Sequence, residues 1–342
     1  MQKIAFGVRL PIGGSIPSVE GVRKVALESE RLGYASVYAR DNLTWTTEQQ
    51  LMHVSEGARD SMKDDYTPVH YEPVVVFAYL ASITQKIRLV FSVACLDFRP
   101  AIVWAKQVAT LDAMSNGRVD FGISPGGWKN VAYTSFGVPW EERGAICDET
   151  IYAIKELWTK TPASFNGKYV RFKDVVQYPK PVQKPCPPIL FGAPANPGII
   201  RRVAEYCDGW FPDSSYVNPQ KIAEGVEKIK ERAEKIGRTN KQFSVHLQVA
   251  TCVAKTDEEA WKKSKRTMVV DERNAVKDDA ALLDNKLIGS PATIVKQVER
   301  YSEAGVTDFE LLFVYLTLDD LLEQMNILTR EVFPSFSMRT SG

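Results

Sequence analysis

The segment Gly192-Ala193-Pro194-Ala195-Asn196-Pro197-Gly198 has the residue types of an anion site. Asn196 is a good helix N-cap, Pro197 suits a first helical turn, and Gly198 lets a ligand approach the main chain. A helix starting there turns unpaired N–H groups outward, a ready cradle for phosphate. The same letters also describe an ordinary capped helix, and on the motif alone both readings stand. A second glycine-rich stretch is Ser124-Pro125-Gly126-Gly127-Trp128. Its two glycines allow close approach of a flat ligand, and Trp128 suits either stacking on that ligand or packing in a core.

Few side chains here do proton chemistry near neutral pH. The histidines are His53, His70 and His246. On a strand, His246 faces the opposite side from Val245 and Leu247, which makes it a candidate proton donor against the commoner structural role. Five cysteines, Cys95, Cys147, Cys186, Cys207 and Cys252, are far apart, odd in number and in no metal-ligand spacing. They read as reduced thiols of a cytoplasmic protein. No G-x-S-x-G elbow or Walker loop occurs. The 43 basic and 42 acidic residues leave a net charge of +1, so nothing argues for nucleic acid or an anionic membrane as partner. No apolar run reaches the roughly 18 residues of a membrane span. The N-terminus, MQKIAFGVRLPIGG, reads as a strand rather than a signal peptide.

These residues need elements to position them. Short β-branched or apolar runs predict strands at Lys3–Leu10, Ala35–Asp41, Ile87–Val93, Val119–Ser124, Pro188–Ala193, Gly209–Asp213, Ser244–Ala254 and Asp308–Phe313. Amphipathic stretches predict helices at Ser18–Leu32, Glu72–Thr84, Ala101–Met114, Arg143–Trp158, Gly198–Cys207, Pro219–Ile236, Pro291–Ala304 and Leu318–Val332. Strand then helix, repeated about eight times, predicts an α/β fold in the form of a closed (β/α)8 barrel, with 1–342 as one domain. Trp45–His70 and Lys255–Lys286 interrupt the pattern after strands two and seven, where βα loops build barrel pockets. Thr161–Pro187 contains Phe165-Asn166-Gly167-Lys168-Tyr169, a hairpin-like Asn-Gly turn. Asp112 and Arg118 read as structural pairing groups, and Lys106 as solvated or bracing a loop.

Local blocks carry a resemblance. Ala105-Lys106-Gln107-Val108-Ala109-Thr110-Leu111-Asp112 leads into Ser115-Asn116-Gly117-Arg118, and Pro179-Lys180-Pro181-Val182-Gln183, Asp208-Gly209-Trp210 and Gly289-Ser290-Pro291 follow in order. This set resembles the luciferase-like monooxygenase superfamily over nearly the whole chain, and is especially similar to its branch of deazaflavin (coenzyme F420)-dependent oxidoreductases. The resemblance implies a bacterial-luciferase-like barrel and a flavin or deazaflavin cofactor, with F420 preferred over FMN. It places the cofactor phosphate at Gly192, Asn196, Pro197 and Gly198, and the ring beside Gly126, Gly127 and Trp128. It also implies a cis peptide at Ser92-Val93 behind the ring. Many relatives carry Asp-His at the end of strand two; here Arg40-Asp41-Asn42 stands there. Asn42 cannot act as a general acid or base near neutral pH, and Asp41 remains as a polar contact. Sugar-phosphate dehydrogenases of the superfamily carry a catalytic Glu where this chain has Gly127. The expected activity is hydride transfer between F420 and an unidentified small organic substrate. One alternative is an FMN-dependent monooxygenase served by a partner flavin reductase; the other is a non-catalytic flavin-binding barrel. A homo-oligomer, a dimer, is expected.

Overall fold

Outward-facing aromatic and aliphatic residues at every second position decide the architecture. Phe91 meets Phe77 and Trp104 edge to face, Phe121 meets Trp158, and Phe6 stacks on Phe309 and Phe333. Burying each such ring stabilises by about 1.5–3 kcal/mol. The computed structural model describes residues 3–14, 18–44, 69–127, 129, 131–238, 243–266 and 285–339. In it the strands are β1 (Ala5–Arg9), β2 (Ser36–Ala39), β3 (Arg88–Phe91), β4 (Val119–Ser124), β5 (Ile189–Phe191), β6 (Gly209–Trp210), β7 (Ser244–Val253) and β8 (Asp308–Phe313). Each pairs in parallel with its sequence neighbours, and β8 returns to β1 from Ala5↔Asp308 to Val8↔Leu311, which closes the eight-stranded barrel.

The surrounding helices are α1 (Val19–Arg31), α2 (Pro73–Ile83), α3 (Ala101–Met114), α4 (Arg143–Thr159), α5 (Pro197–Tyr206), α6 (Pro219–Lys235), α7 (Pro291–Glu303) and α8 (Leu318–Glu331). Their starts are set by capping side chains: Ser18, Glu72, Asn196, Asn218, Ser290 and Thr317 each accept from a backbone N–H in the first turn. The large apolar core lies between strands and helices. Inside the ring, Tyr38, Val90, Leu190 and Phe211 form a separate small cluster.

The predicted strands and helices are all present, with no end shifted by more than three residues. Both insertions open at the C-terminal ends of the strands. The first returns as Val69–His70, paired antiparallel with Gly13–Gly14 beyond the end of β1. The second begins with a helix, Asp257–Arg266, and returns as Leu287–Gly289, paired with Thr251–Val253 at the end of β7. Residues 45–68 and 267–284 between these ends lie outside the described residues, as does His53.

The hairpin forms where the Asn166-Gly167 turn predicts it. Its strands are Ala163–Asn166 and Arg171–Val175, joined across Gly167–Val170. Glu149 of α4 supports the loop: its carboxylate accepts the N–H groups of Lys168, Tyr169 and Val170. Asp112 binds Gln183 through its N–H and side-chain amide at 3.0 and 2.7 Å. Arg118 donates to the carbonyls of Ala81, Thr84, Ile87 and Ser115. Both are structural, with partners other than each other. Lys106 braces a loop through the Tyr178 carbonyl.

Candidate functional site

The start of α5 is built as the sequence analysis anticipates. Asn196 is extended (φ −138°, ψ 169°), its side chain accepts from Ile199 N at 3.0 Å, and Pro197 occupies the first turn. Arg202, one turn on, reaches back to the same end. A Cβ at Gly198 would lie 3.2 Å from Arg202 Nη1 and 3.4 Å from Asn196 Oδ1. The guanidinium is aimed by Asp148, which accepts from Nε at 2.6 Å and Nη2 at 3.0 Å, and by the Gly144 carbonyl at 3.0 Å. Backbone N–H groups, the positive end of a helix dipole and a braced arginine make a donor set that suits a phosphate. Arg202 was not singled out in the sequence; the available signal was a basic side chain at i+4 from the first-turn glycine, on the same helix face.

Next to this end, the wall is shaped by missing side chains. The Ser92-Val93 peptide is cis. The Val93 side chain sits where Cβ atoms at Gly122 and Gly192 would be, 3.2 and 2.7 Å from its Cγ1. Gly192 thus first makes room for Val93. Gly126 has φ +84°, and a Cβ there would sit 1.9 Å from the Tyr133 hydroxyl, so glycine is required on both counts. Gly127 has open space on its Cβ side. Trp128 lies outside the described residues.

Inside the ring a charged network lies beneath. Glu310 of β8 is fully buried; its Oε1 accepts from Arg9 Nε and from Ser92 Oγ at 2.7 Å. Arg9 Nη2 donates to Gln248 Oε1 at 2.6 Å, and Gln248 Nε2 to Asp213 Oδ2 at 2.9 Å. Glu310 Oε2 is buried with no hydrogen-bond partner among the described residues. Lys286 is buried as well, which pushes its ammonium below the usual lysine range against the pull of Asp213. Apart from Ser92, none of these residues stands out in the sequence, because each sits alone on its own strand or loop and only the closed ring unites them.

Of the three candidate site groups, Asp41 and Asn42 lie together and His246 lies apart from them. Asp41 is buried and taken by Arg99, whose Nη1 and Nη2 meet Oδ2 and Oδ1 at 2.7 and 3.0 Å. Asn42 stands at the mouth, its Nδ2 3.3 Å from His70 Nε2. His246 is at the opposite end of the ring, level with Asp308 at the start of β8. There Nδ1 is 3.2 Å from the Tyr38 hydroxyl and Nε2 3.0 Å from Ser244 Oγ. The structure does not bring His246 together with Asn42 or with the start of α5. The five cysteines form no disulfide, and burial pushes the Cys95, Cys147, Cys207 and Cys252 thiols up, Cys252 to about 12. Among the described residues no group of His, Cys, Asp and Glu is placed to hold a metal, and no helix is long and apolar enough to cross a membrane.

Asp97, in the turn Leu96–Phe98 after β3, has both carboxylate oxygens buried without a partner among the described residues. Burial pushes its carboxyl up to about 8, although Arg143 and Arg202 pull the other way. The folded protein therefore holds a proton that the unfolded chain releases above its ordinary range of roughly pH 4. Stability falls from this group as pH rises from there to about 8, and is level above. Asp97→Asn is expected to be more stable than the parent at pH 8, with the gap closing toward pH 4. Urea melts at several pH values check this; an equal gap at every pH contradicts it.

Relatives and solved structures agree with this architecture. Over 182 residues the chain is 32% identical to an uncharacterized protein of Mycobacterium tuberculosis, covering 53% of this chain and 64% of that one. It thus spans less than two thirds of that relative. It is 31% identical over 144 residues to an FMNH2-dependent dimethylsulfone monooxygenase of Pseudomonas putida, covering 41% and 39%. The fold is that of the monooxygenase RslO1 from Streptomyces bottropensis (TM-score 0.80, 19% identity, 97% and 99% of the two chains). It is also that of the coenzyme F420-dependent tetrahydromethanopterin reductase from Methanopyrus kandleri (TM-score 0.74, 19% identity, 98% and 99%). The luciferase-like monooxygenase family model matches residues 4–308, from the first strand of the barrel to the start of the last, and the chain belongs to that family.

Proposed function

We propose that the protein is an oxidoreductase that passes hydride between coenzyme F420 and a small organic substrate at the barrel mouth. The observation that carries this reading is the start of α5, where Asn196, Pro197 and Gly198 form a capped helix end and Arg202 is aimed at it by Asp148. In this reading the phosphate is held there, and Ser92, Val93, Gly126, Gly127, Trp128 and Gly192 wall the ring. Bound F420 supplies hydride chemistry; reduced FMN in the same place supplies oxygen activation. The protein's own part is to bind, orient and keep water out. Asn42 lies at the mouth, while Asp41 and His246, tied to Arg99 and to Tyr38 and Ser244, brace the scaffold.

FMN is the second reading, favoured by the likeness to the FMNH2-dependent dimethylsulfone monooxygenase. It requires a separate supply of reduced flavin. Fluorescence titration of the apo-protein with oxidised and reduced F420 and FMN, combined with an oxygen electrode, separates them. Tight F420 binding without oxygen uptake supports the first reading. Preferential binding of reduced FMN, with oxygen uptake, replaces it with the second. Binding of neither returns the protein to a non-catalytic barrel.

A further inference from the structure

We propose that His70 is the proton-exchanging group of this mouth, held in position by Asn42; the inference rests on the mouth being the cofactor and substrate site. Sequence distance hides the pair, which lies 28 positions apart at the two ends of an insertion. The fold brings the ends together in two ways. Val69–His70 pairs with Gly14 and Gly13, and Tyr71 N donates to the Ile12 carbonyl at 2.8 Å, which seats the segment on the extension of β1. A Cβ at Gly13 would lie 2.6 Å from His70 Cδ2, so the imidazole rests on a glycine that leaves room for it.

Arg99 then clamps both sides. It grips Asp41, the residue before Asn42, and Glu72, two residues after His70, whose Oε1 it meets at 2.8 Å. Glu72 in turn caps α2 through Val75 N. Arg99 is itself held over the Trp104 ring at 4.2 Å. A single arginine therefore fixes the two segments that carry the Asn42–His70 contact.

Chemistry selects His70 among the groups around it. Among the described residues of this corner, Asp41, Glu72 and Arg99 are paired with one another. Imidazole is the side chain whose ordinary titration lies between about pH 5 and 8. His246 is at the far end of the ring. Adding hydride to a polarised double bond leaves a negative charge on its oxygen or nitrogen. The electron pair comes as hydride from the reduced cofactor. The proton leaves the His70 imidazolium for that heteroatom, and the neutral ring regains one from water. Asn42, which does not titrate, sets the ring's orientation: its Nδ2 donates to Nε2 of the neutral ring, and with the amide turned over its Oδ1 accepts from Nε2–H of the imidazolium.

The test is nitrogen-15 NMR of histidine-labelled protein, with F420 and FMN as separate probes and the His70 signal assigned by its loss in His70→Gln. Binding of either cofactor is expected to move the His70 titration midpoint by about one pH unit and leave His246 unmoved. In the exchanged variant, Asn42→His with His70→Asn, a cofactor-sensitive imidazole is expected to reappear, which a purely structural His70 would not produce. A cofactor that binds without moving the His70 midpoint overturns this inference and leaves the cofactor site standing. Failure of both cofactors to bind overturns both.

Discussion

Replacing Glu310 with alanine is expected to destabilise the fold by about 3–5 kcal/mol, the usual cost of stranding one partner of a buried ion pair. Arg9 and Glu310 have side chains only 10% and 0% exposed, so water cannot rescue the guanidinium left behind. Ser92 Oγ loses its acceptor in the same step. The pair itself need not be a net source of stability, because desolvation opposes its attraction. A double variant, Arg9→Met with Glu310→Leu, is therefore expected to recover most of the loss. Urea denaturation of the two variants and the parent measures this. A loss below about 1 kcal/mol for Glu310→Ala would mean that the network is solvated and not a dry base beneath the mouth.

The second large effect is on binding. Gly198→Glu is expected to weaken F420 and FMN by well over tenfold, more than about 1.4 kcal/mol. The new side chain starts 3.2 Å from Arg202 Nη1, takes over the guanidinium and sets a negative charge against the phosphate. Stability is expected to hold, since an acidic residue in a first turn suits the helix dipole. Riboflavin, which lacks the phosphate, supplies the control: its affinity is expected to change little. An unchanged dissociation constant for FMN in the variant would move the phosphate elsewhere.

The fold was legible because a barrel writes itself into the sequence locally. Each strand needs only a few residues of period two and each helix one apolar stripe, and caps such as Ser18, Asn196 and Ser290 mark the starts. The phosphate end was legible for the same reason, because Asn196, Pro197 and Gly198 are contiguous. The charged interior was not. Arg9, Ser92, Asp213, Gln248 and Glu310 come from β1, the cis bulge after β3, the loop after β6, β7 and β8, and no short window contains two of them. His246 shows the limit of periodicity: alternation turns it inward but does not say at which end of the ring it lies, and the register with Asp308 puts it at the strand starts. The hairpin was legible from Asn166-Gly167, but its support by Glu149 was not, because that carboxylate is in another element.

The central claim is that the mouth holds a deazaflavin or flavin with its phosphate at the start of α5. Crystal structures of the protein grown separately with F420 and with FMN test it most directly. The account predicts a ring against Val93, Gly126 and Gly127, and a phosphate that accepts hydrogen bonds from the first-turn N–H groups of α5 and from Arg202. A cofactor bound outside the ring mouth, or inside it with the phosphate away from Gly198 and Arg202, would contradict it.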